Sequence, residues 1–211
     1  YSTDMLKTIR AHLINYRQLM RIMGWLLMIE AGFMLFPTLT CVAYGESDWL
    51  PFAGTSLLTG TVGIVLAFRA RPTSQHMGKR DGFLLTAMVW IVFSFFGLIP
   101  FLFCSNPLTY SDAFFEAMSG FTTTGASVIN SVSDMSHGVH LWRAMMQWIG
   151  GMGIILFTLA VIPMLNHSGG MQMFNAEVTG ITHDKIRPRI SQTAKSLWLI
   201  YLLLTMVLIL L

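Results

Sequence analysis

Charge is what this chain has least of. Only 11% of its 211 residues are Asp, Glu, Lys or Arg, against roughly a quarter in an ordinary soluble domain. That deficit argues against a surface wetted on all sides. Cysteine is nearly absent too, with Cys41 and Cys104 alone. Two cysteines without ligand spacing exclude a disulfide framework and a cysteine-rich metal site, and read as small apolar packing residues. The first hydrophobic run does not read as a secretory signal peptide: it begins only at Ile22, is too long, and is followed by no small-residue cleavage site. The net charge of +3 does not point to nucleic acid, because the cations sit in short segments beside apolar runs.

Long uncharged stretches fill the space that charge leaves. Hydrophobic residues make up 54% of the chain, and the mean hydropathy is +0.62. About 20 apolar residues cross the hydrocarbon as a helix. The runs Ile22–Tyr44, Leu50–Phe68, Gly82–Cys104 and Ala144–Asn166 meet that length, and a fifth, Leu197–Leu211, is shorter. A run that stops inside a membrane helix suggests part of a longer protein. The expected architecture is an all-α membrane protein.

The cations are sorted by side. Lys7, Arg10, Arg17 and Arg21 precede the first run; Arg69, Arg71, Lys79 and Arg80 lie between the second and third; Lys185, Arg187, Arg189 and Lys195 precede the fifth. Only Arg143 falls in an opposite-side segment, where it is expected to anchor its helix by reaching toward headgroups. This asymmetry predicts a cytoplasmic N-terminus. The outer segments carry Glu46, Asp48, Asp112, Glu116 and Asp134, an acidic bias that would concentrate cations.

Between the third and fourth runs lies an amphipathic segment, residues 110–121, too short to span. Its flanking helices run in opposite directions, so it must enter and leave on the outer side, as a re-entrant loop does. Ser111 is the expected N-cap, with Asp112 in the first turn. About 11 residues at 1.5 Å each reach roughly 16 Å, near half the hydrocarbon depth. Gly120 is expected to end this half-helix. Thr122, Thr123 and Thr124 favour extended backbone, and Gly125 admits angles closed to other residues. Neutral carbonyls on such a loop suit a monovalent cation that must also leave. A plain small-residue turn is the alternative for the hexapeptide taken alone.

Residues 112–127, Asp-Ala-Phe-Phe-Glu-Ala-Met-Ser-Gly-Phe-Thr-Thr-Thr-Gly-Ala-Ser, resemble the first pore loop of the Trk/Ktr/HKT superfamily of potassium transporters. Residues 148–154 resemble the glycine-rich start of the helix after that loop, and 185–201 the cytoplasmic link into a second repeat. Two helices ahead of the pore unit are similar to the TrkH branch. The resemblance implies a pseudo-fourfold, potassium-channel-like fold in the inner membrane, with four helix–loop–helix repeats in one polypeptide. The filter would use the backbone carbonyls of Thr122, Thr123, Thr124 and Gly125, with potassium as transported ligand and no covalent cofactor. The implied partners are the three remaining pore repeats, a second copy in a homodimer, a cytosolic nucleotide-binding regulatory ring of the TrkA type, and the lipid bilayer. The implied division is a cytoplasmic segment 1–21, two peripheral helices 22–70, the first repeat 80–166, a cytoplasmic linker 167–195 and the start of a second repeat 196–211.

Other residues have plainer readings beside functional ones. Gly150, Gly151 and Gly153 suit close helix packing, with a hinge or pore-lining role as the alternative. Asp112 and Glu116, four apart on one face, either attract cations or support the half-helix. Glu30, an acid in the first run, is expected to be buried beside a hydrogen-bonding partner. His137 and His140 are expected in a solvated loop, lacking a third ligand. Ser119-Gly120 invites an intramembrane serine hydrolase, but position 117 is Ala where a rhomboid-type protease would want Gly, and no complete run contains a histidine. A non-conducting membrane assembly or regulatory module is the second function that the pattern permits. The chain is not expected to be an enzyme.

Overall fold

The computed structural model describes residues 16–70, 79–129, 131, 134–166 and 186–210. All regular structure there is helical: α1 (Tyr16–Tyr44), α2 (Trp49–Arg69), α3 (Lys79–Gly97), α4 (Ile99–Phe103), α5 (Tyr110–Phe121), α6 (His137–Asn166) and α7 (Ile186–Leu210). Among the described residues three stretches, Tyr16–Tyr44, Trp49–Arg69 and Asp81–Phe103, are long and apolar enough to cross a membrane. α1 begins six residues before the apolar run, and α6 seven before its own, because polar residues continue each helix beyond the hydrocarbon-length segment. Most of the expected linker, residues 167–185, lies outside the described residues; α7 starts within its last part.

The chain forms two compact units, residues 1–147 and 148–211. In the first, α1 and α2 make an antiparallel hairpin. α1 closes at Gly45, whose φ of +70° suits a residue without Cβ. The helices touch where side chains vanish: a Cβ on Gly24 would sit 2.4 Å from the Ala67 amide nitrogen, and one on Gly63 2.8 Å from the Gly24 carbonyl. At the next level Ser56 Oγ donates to the Ala31 carbonyl at 2.8 Å. Glu30 is fully buried, as expected, but neither carboxyl oxygen has a hydrogen-bond partner among the described residues, nor does Thr59 Oγ1 on α2. The expected partner is therefore not found among the described residues; the hydroxyl of Ser56 is committed to backbone instead.

Two acids join this hairpin to the elements around the loop. Asp48, 3% exposed, accepts from the Ser105 amide at 2.8 Å and the Ser105 hydroxyl at 2.5 Å. Glu46 accepts from the His137 amide at 2.9 Å, the His137 ring at 2.7 Å and the Gly138 amide at 3.4 Å, and so caps the start of α6. The His137 ring stacks on Tyr44 at 4.0 Å. The two histidines thus lie in the first turn of α6 rather than in a loop, because Glu46 satisfies the free amides there. Gly138 lets α6 approach so closely that a Cβ would meet Cys41 Sγ and, at 3.1 Å, the Pro37 carbonyl. Both cysteines are free and buried.

In the second unit, the Trp148 indole donates to Thr205 Oγ1 at 3.0 Å and the Tyr201 hydroxyl to the Trp148 carbonyl at 3.1 Å. The Trp198 indole meets Met152 Sδ. Gly150 is buried, and Gly150, Gly151 and Gly153 fall on or beside this α7-contacting stretch of α6.

Gly24→Leu should force α1 and α2 apart and cost about 1–3 kcal/mol or more, as overpacking does. Thermal unfolding of the purified protein should show a marked drop, whereas Gly32→Leu, with nothing within 4 Å of its Cβ, should not. Burial raises the Glu46 carboxyl, but the His137 amide and ring, the Gly138 amide and the Cys41 thiol together hold it below its usual 4.5. A depressed carboxyl stabilises the fold above its unfolded value and loses that contribution as pH falls through the folded value. Wild type should therefore lose stability from about pH 4.5 downward more steeply than Glu46→Gln, read from melting temperature against pH.

Candidate functional site: the re-entrant loop

The half-helix α5 is capped at both ends by its own sequence. Thr109, not Ser111, is the N-cap: its Oγ1 accepts from the Asp112 amide at 3.3 Å and donates to the Asp112 carboxylate at 2.7 Å. The three-residue spacing of this reciprocal pair is what Ser111 lacks. Asp112 thereby supports the helix start.

At the other end α5 runs through Gly120 to Phe121. The Thr123 amide donates to the Gly120 carbonyl at 3.0 Å and the Thr124 amide to the Ser119 carbonyl at 2.9 Å. This is a Schellman motif, whose left-handed position glycine usually fills. Here it is Thr123, at φ +58°. A β-branched residue there is a strained choice, of about 1–3 kcal/mol. Thr122 and Thr123 are thus a turn rather than the expected extended strand, because the helix-end carbonyls draw their amides back. Gly120 remains helical, and its missing Cβ makes room for Met146, whose Cβ would lie 3.0 Å away.

Side chains fix the turn further. Thr122 Oγ1 donates to the Met118 carbonyl at 2.7 Å, so Thr124 Oγ1 must be the donor in their 2.8 Å contact. Ser119 Oγ donates to the Ala126 carbonyl at 2.6 Å, which commits the hydroxyl that a hydrolase would need. Gly125 has φ +73°, and the nearest atom to a built Cβ is Gln147 Nε2 at 3.9 Å. Backbone conformation, not crowding, calls for glycine at 125. The carbonyls of Thr122, Thr123, Thr124 and Gly125 accept no hydrogen bond among the described residues.

Behind the loop sits a buried polar clamp. Glu116, 3% exposed, accepts from Ser127 Oγ at 2.6 Å and the Val128 amide at 2.7 Å through Oε1, and from Arg143 Nε at 3.1 Å through Oε2. Arg143 Nη2 also donates to Ser127 Oγ at 3.0 Å. Arg143 therefore reaches the loop and not the headgroups, since a buried carboxylate is the stronger attractor. Of the acids expected on the outer side, Asp48 and Glu116 are buried supports and not exposed cation lures. Only about 10 Å³ of free space remains between Glu116, Ser119, Gly120, Arg143 and their neighbours, room for no more than a water.

Apolar packing seats the inner end of α5. Phe121 is fully buried, with its ring 5.4 Å from Phe93 and 6.2 Å from Trp142, both edge-on. A Cβ on Gly97 would strike Phe121 at 2.7 Å, and the Trp142 indole donates to the Gly97 carbonyl at 3.0 Å. No group of three or more potential metal-ligating side chains occurs among the described residues.

Removing one partner of a buried pair costs about 3–5 kcal/mol. Arg143→Met should fall near the lower end, since 19% of that side chain is exposed, while the double variant Glu116→Gln/Arg143→Met should recover part of the loss. A double-mutant cycle in chemical unfolding measures this. Hydrogen exchange at the Val128 amide should quicken in Glu116→Ala.

Residues 52–211 match the TrkH family, described as a cation transport protein. The chain is 40% identical over 194 residues to the Trk system potassium uptake protein TrkH of Salmonella typhimurium, covering 91% of this chain and 40% of that protein. It is 34% identical over 183 residues to the Trk system potassium uptake protein TrkG of Escherichia coli, covering 86% and 38%. The crystal structure of the potassium transporter TrkH from Vibrio parahaemolyticus superposes with a TM-score of 0.76 at 36% identity, over 92% of this chain and 38% of that one. The chain thus spans about two fifths of the length of these relatives. It is an all-α membrane protein that belongs to the TrkH family of cation transport proteins.

Proposed function

We propose that this chain serves potassium uptake across the cell membrane, supplying one of four strands of a carbonyl filter. The observation that carries this reading is the set of four carbonyls at Thr122, Thr123, Thr124 and Gly125 that accept no hydrogen bond among the described residues, on a loop held by the Ser119 hydroxyl at Ala126 and by Glu116 at Ser127 and Val128. A carbonyl without an internal partner needs one, and oxygen dipoles replace the hydration shell of a monovalent cation. No side chain of these four residues brings a fixed charge that would hold the ion too long. The names of the relatives support potassium as the ion.

In this reading Asp112 and Glu116 position the half-helix and the loop, while Gly150, Gly151 and Gly153 pack α6 against α7. Residues 22–70 form a peripheral hairpin and 80–166 the first pore repeat, with the N-terminus on the cytoplasmic side. Three further repeats, a second copy of the protein and a cytosolic nucleotide-binding ring complete the transporter.

Gly125→Asp in the natural full-length protein should cut rubidium uptake by roughly tenfold or more, since a side chain at this φ costs about 1–3 kcal/mol and the carboxylate adds a fixed charge. Gly125→Ala, which has room for its methyl, should show a smaller loss that reports the backbone alone. Unchanged rubidium flux and unchanged preference over sodium in Gly125→Asp would refute the filter role.

A further inference from the structure

The α1–α2 hairpin is tight at one level and open at the next. Gly24, Gly63 and Ala67 bring the two backbones into contact. Just beyond, toward the start of α1 and the end of α2, lies a cavity of about 340 Å³ lined by Arg17, Met20, Val65, Leu66, Arg69 and Ala70. Its wall is divided in kind. Arg17 and Arg69 bring guanidinium groups from two different helices, and neither has an ion-pair partner among the described residues. Met20, Val65 and Leu66 bring apolar surface, with Val65 52% exposed. Phe68, 71% exposed, and Trp25 pair at 6.3 Å on the same end of the hairpin, as aromatic residues do where hydrocarbon gives way to headgroups.

We propose that this cavity binds one anionic phospholipid, with its phosphate between Arg17 and Arg69 and an acyl chain along Met20 and Val65. Guanidinium forks match phosphate oxygens in pairs. Two positive charges without an ion-pair partner among the described residues favour a headgroup of net negative charge and disfavour one that carries its own cation. The apolar half of the cavity selects a lipid over a soluble phosphate, which would leave Met20 and Val65 against water. The position agrees: α2 is apolar through Phe68 and turns basic at Arg69, the depth at which lipid phosphates lie. The inference requires that the hairpin spans a membrane. It does not depend on which way the hairpin faces or on ion conduction through the loop, so it can fail while the proposed function stands.

The test is native mass spectrometry of the purified natural full-length protein, in micelles that contain phosphatidylglycerol and phosphatidylcholine in equal amounts. Wild type should retain phosphatidylglycerol preferentially. Arg17→Ala/Arg69→Ala should reduce that preference by about fivefold for each arginine lost, and Arg17→Lys/Arg69→Lys should keep most of it. Val65→Trp fills the apolar half with the charges intact and should also lower retention, which decides the matter if the double alanine variant does not fold. Equal retention of the two lipids by wild type, or an undiminished preference in both the alanine and tryptophan variants, would overturn the proposal. So would complete displacement of the lipid by glycerol phosphate at matched concentration, since a ligand without chains would then suffice.

Discussion

Glu116 sits where a lone acid would be costly, and the loop takes its shape from how that cost is met. Its two oxygens receive the Ser127 hydroxyl, the Val128 amide and the Arg143 guanidinium. The groups come from three parts of the polypeptide: the half-helix holds the acceptor, the loop gives two donors, and α6 gives the third. Desolvating a carboxylate without such partners costs several kcal/mol. The three groups therefore converge together, and the backbone between Phe121 and Val128 has little freedom left once its two ends are fixed.

The backbone between those ends divides its polar groups into two kinds. The helix-end carbonyls of Met118, Ser119 and Gly120 are consumed by the amides and hydroxyls of the turn. The carbonyls of Thr122 through Gly125 accept no hydrogen bond among the described residues. An ion at the loop would thus be served by the turn's own oxygens, with the helix dipole contributing its field but not its terminal carbonyls. Two left-handed residues, Thr123 and Gly125, allow consecutive amides to turn back while their carbonyls stay unbonded. Strain at Thr123 is sustained because the Schellman pair and the threonine hydroxyls over-determine the turn.

Much of this was legible in the sequence where the signal is local. Length and apolarity marked the helices of the hairpin and the one after it, and the half-length segment before a Thr/Gly run marked the loop. The failures share one cause, that the deciding partner lies far away in sequence or has no composition cue. Gly120 resembles a helix stop, but Met146 is what requires its missing Cβ. Arg143 resembles an interfacial anchor, yet its partner Glu116 is 27 residues away. His137 looked like a loop residue because Glu46, which caps its helix, is 91 residues earlier. Ser111 and Thr109 both precede Asp112, and the three-residue spacing that lets an N-cap hydroxyl accept from the third helical amide distinguishes them. The resemblance to a transporter family located the loop but could not supply these pairings.

The α1–α2 hairpin is joined to the clamp by position. Glu46 and Cys41 hold the first residues of α6, His137 and Gly138, against the end of α1. Arg143 lies six residues further along the same helix, about 9 Å at the usual rise. A helix shifted along its axis by one turn, about 5.4 Å, would carry the guanidinium out of reach of Glu116, because charge-assisted bonds here span 3.0–3.1 Å. The height at which α6 starts is thus a condition for the clamp, and that height is set by residues of a helix outside the re-entrant unit. A hairpin that only shielded its neighbours from lipid would need an apolar face alone. One that also fixes the start of α6 needs an acid and a glycine contact at that level, and Glu46 and Gly138 provide them.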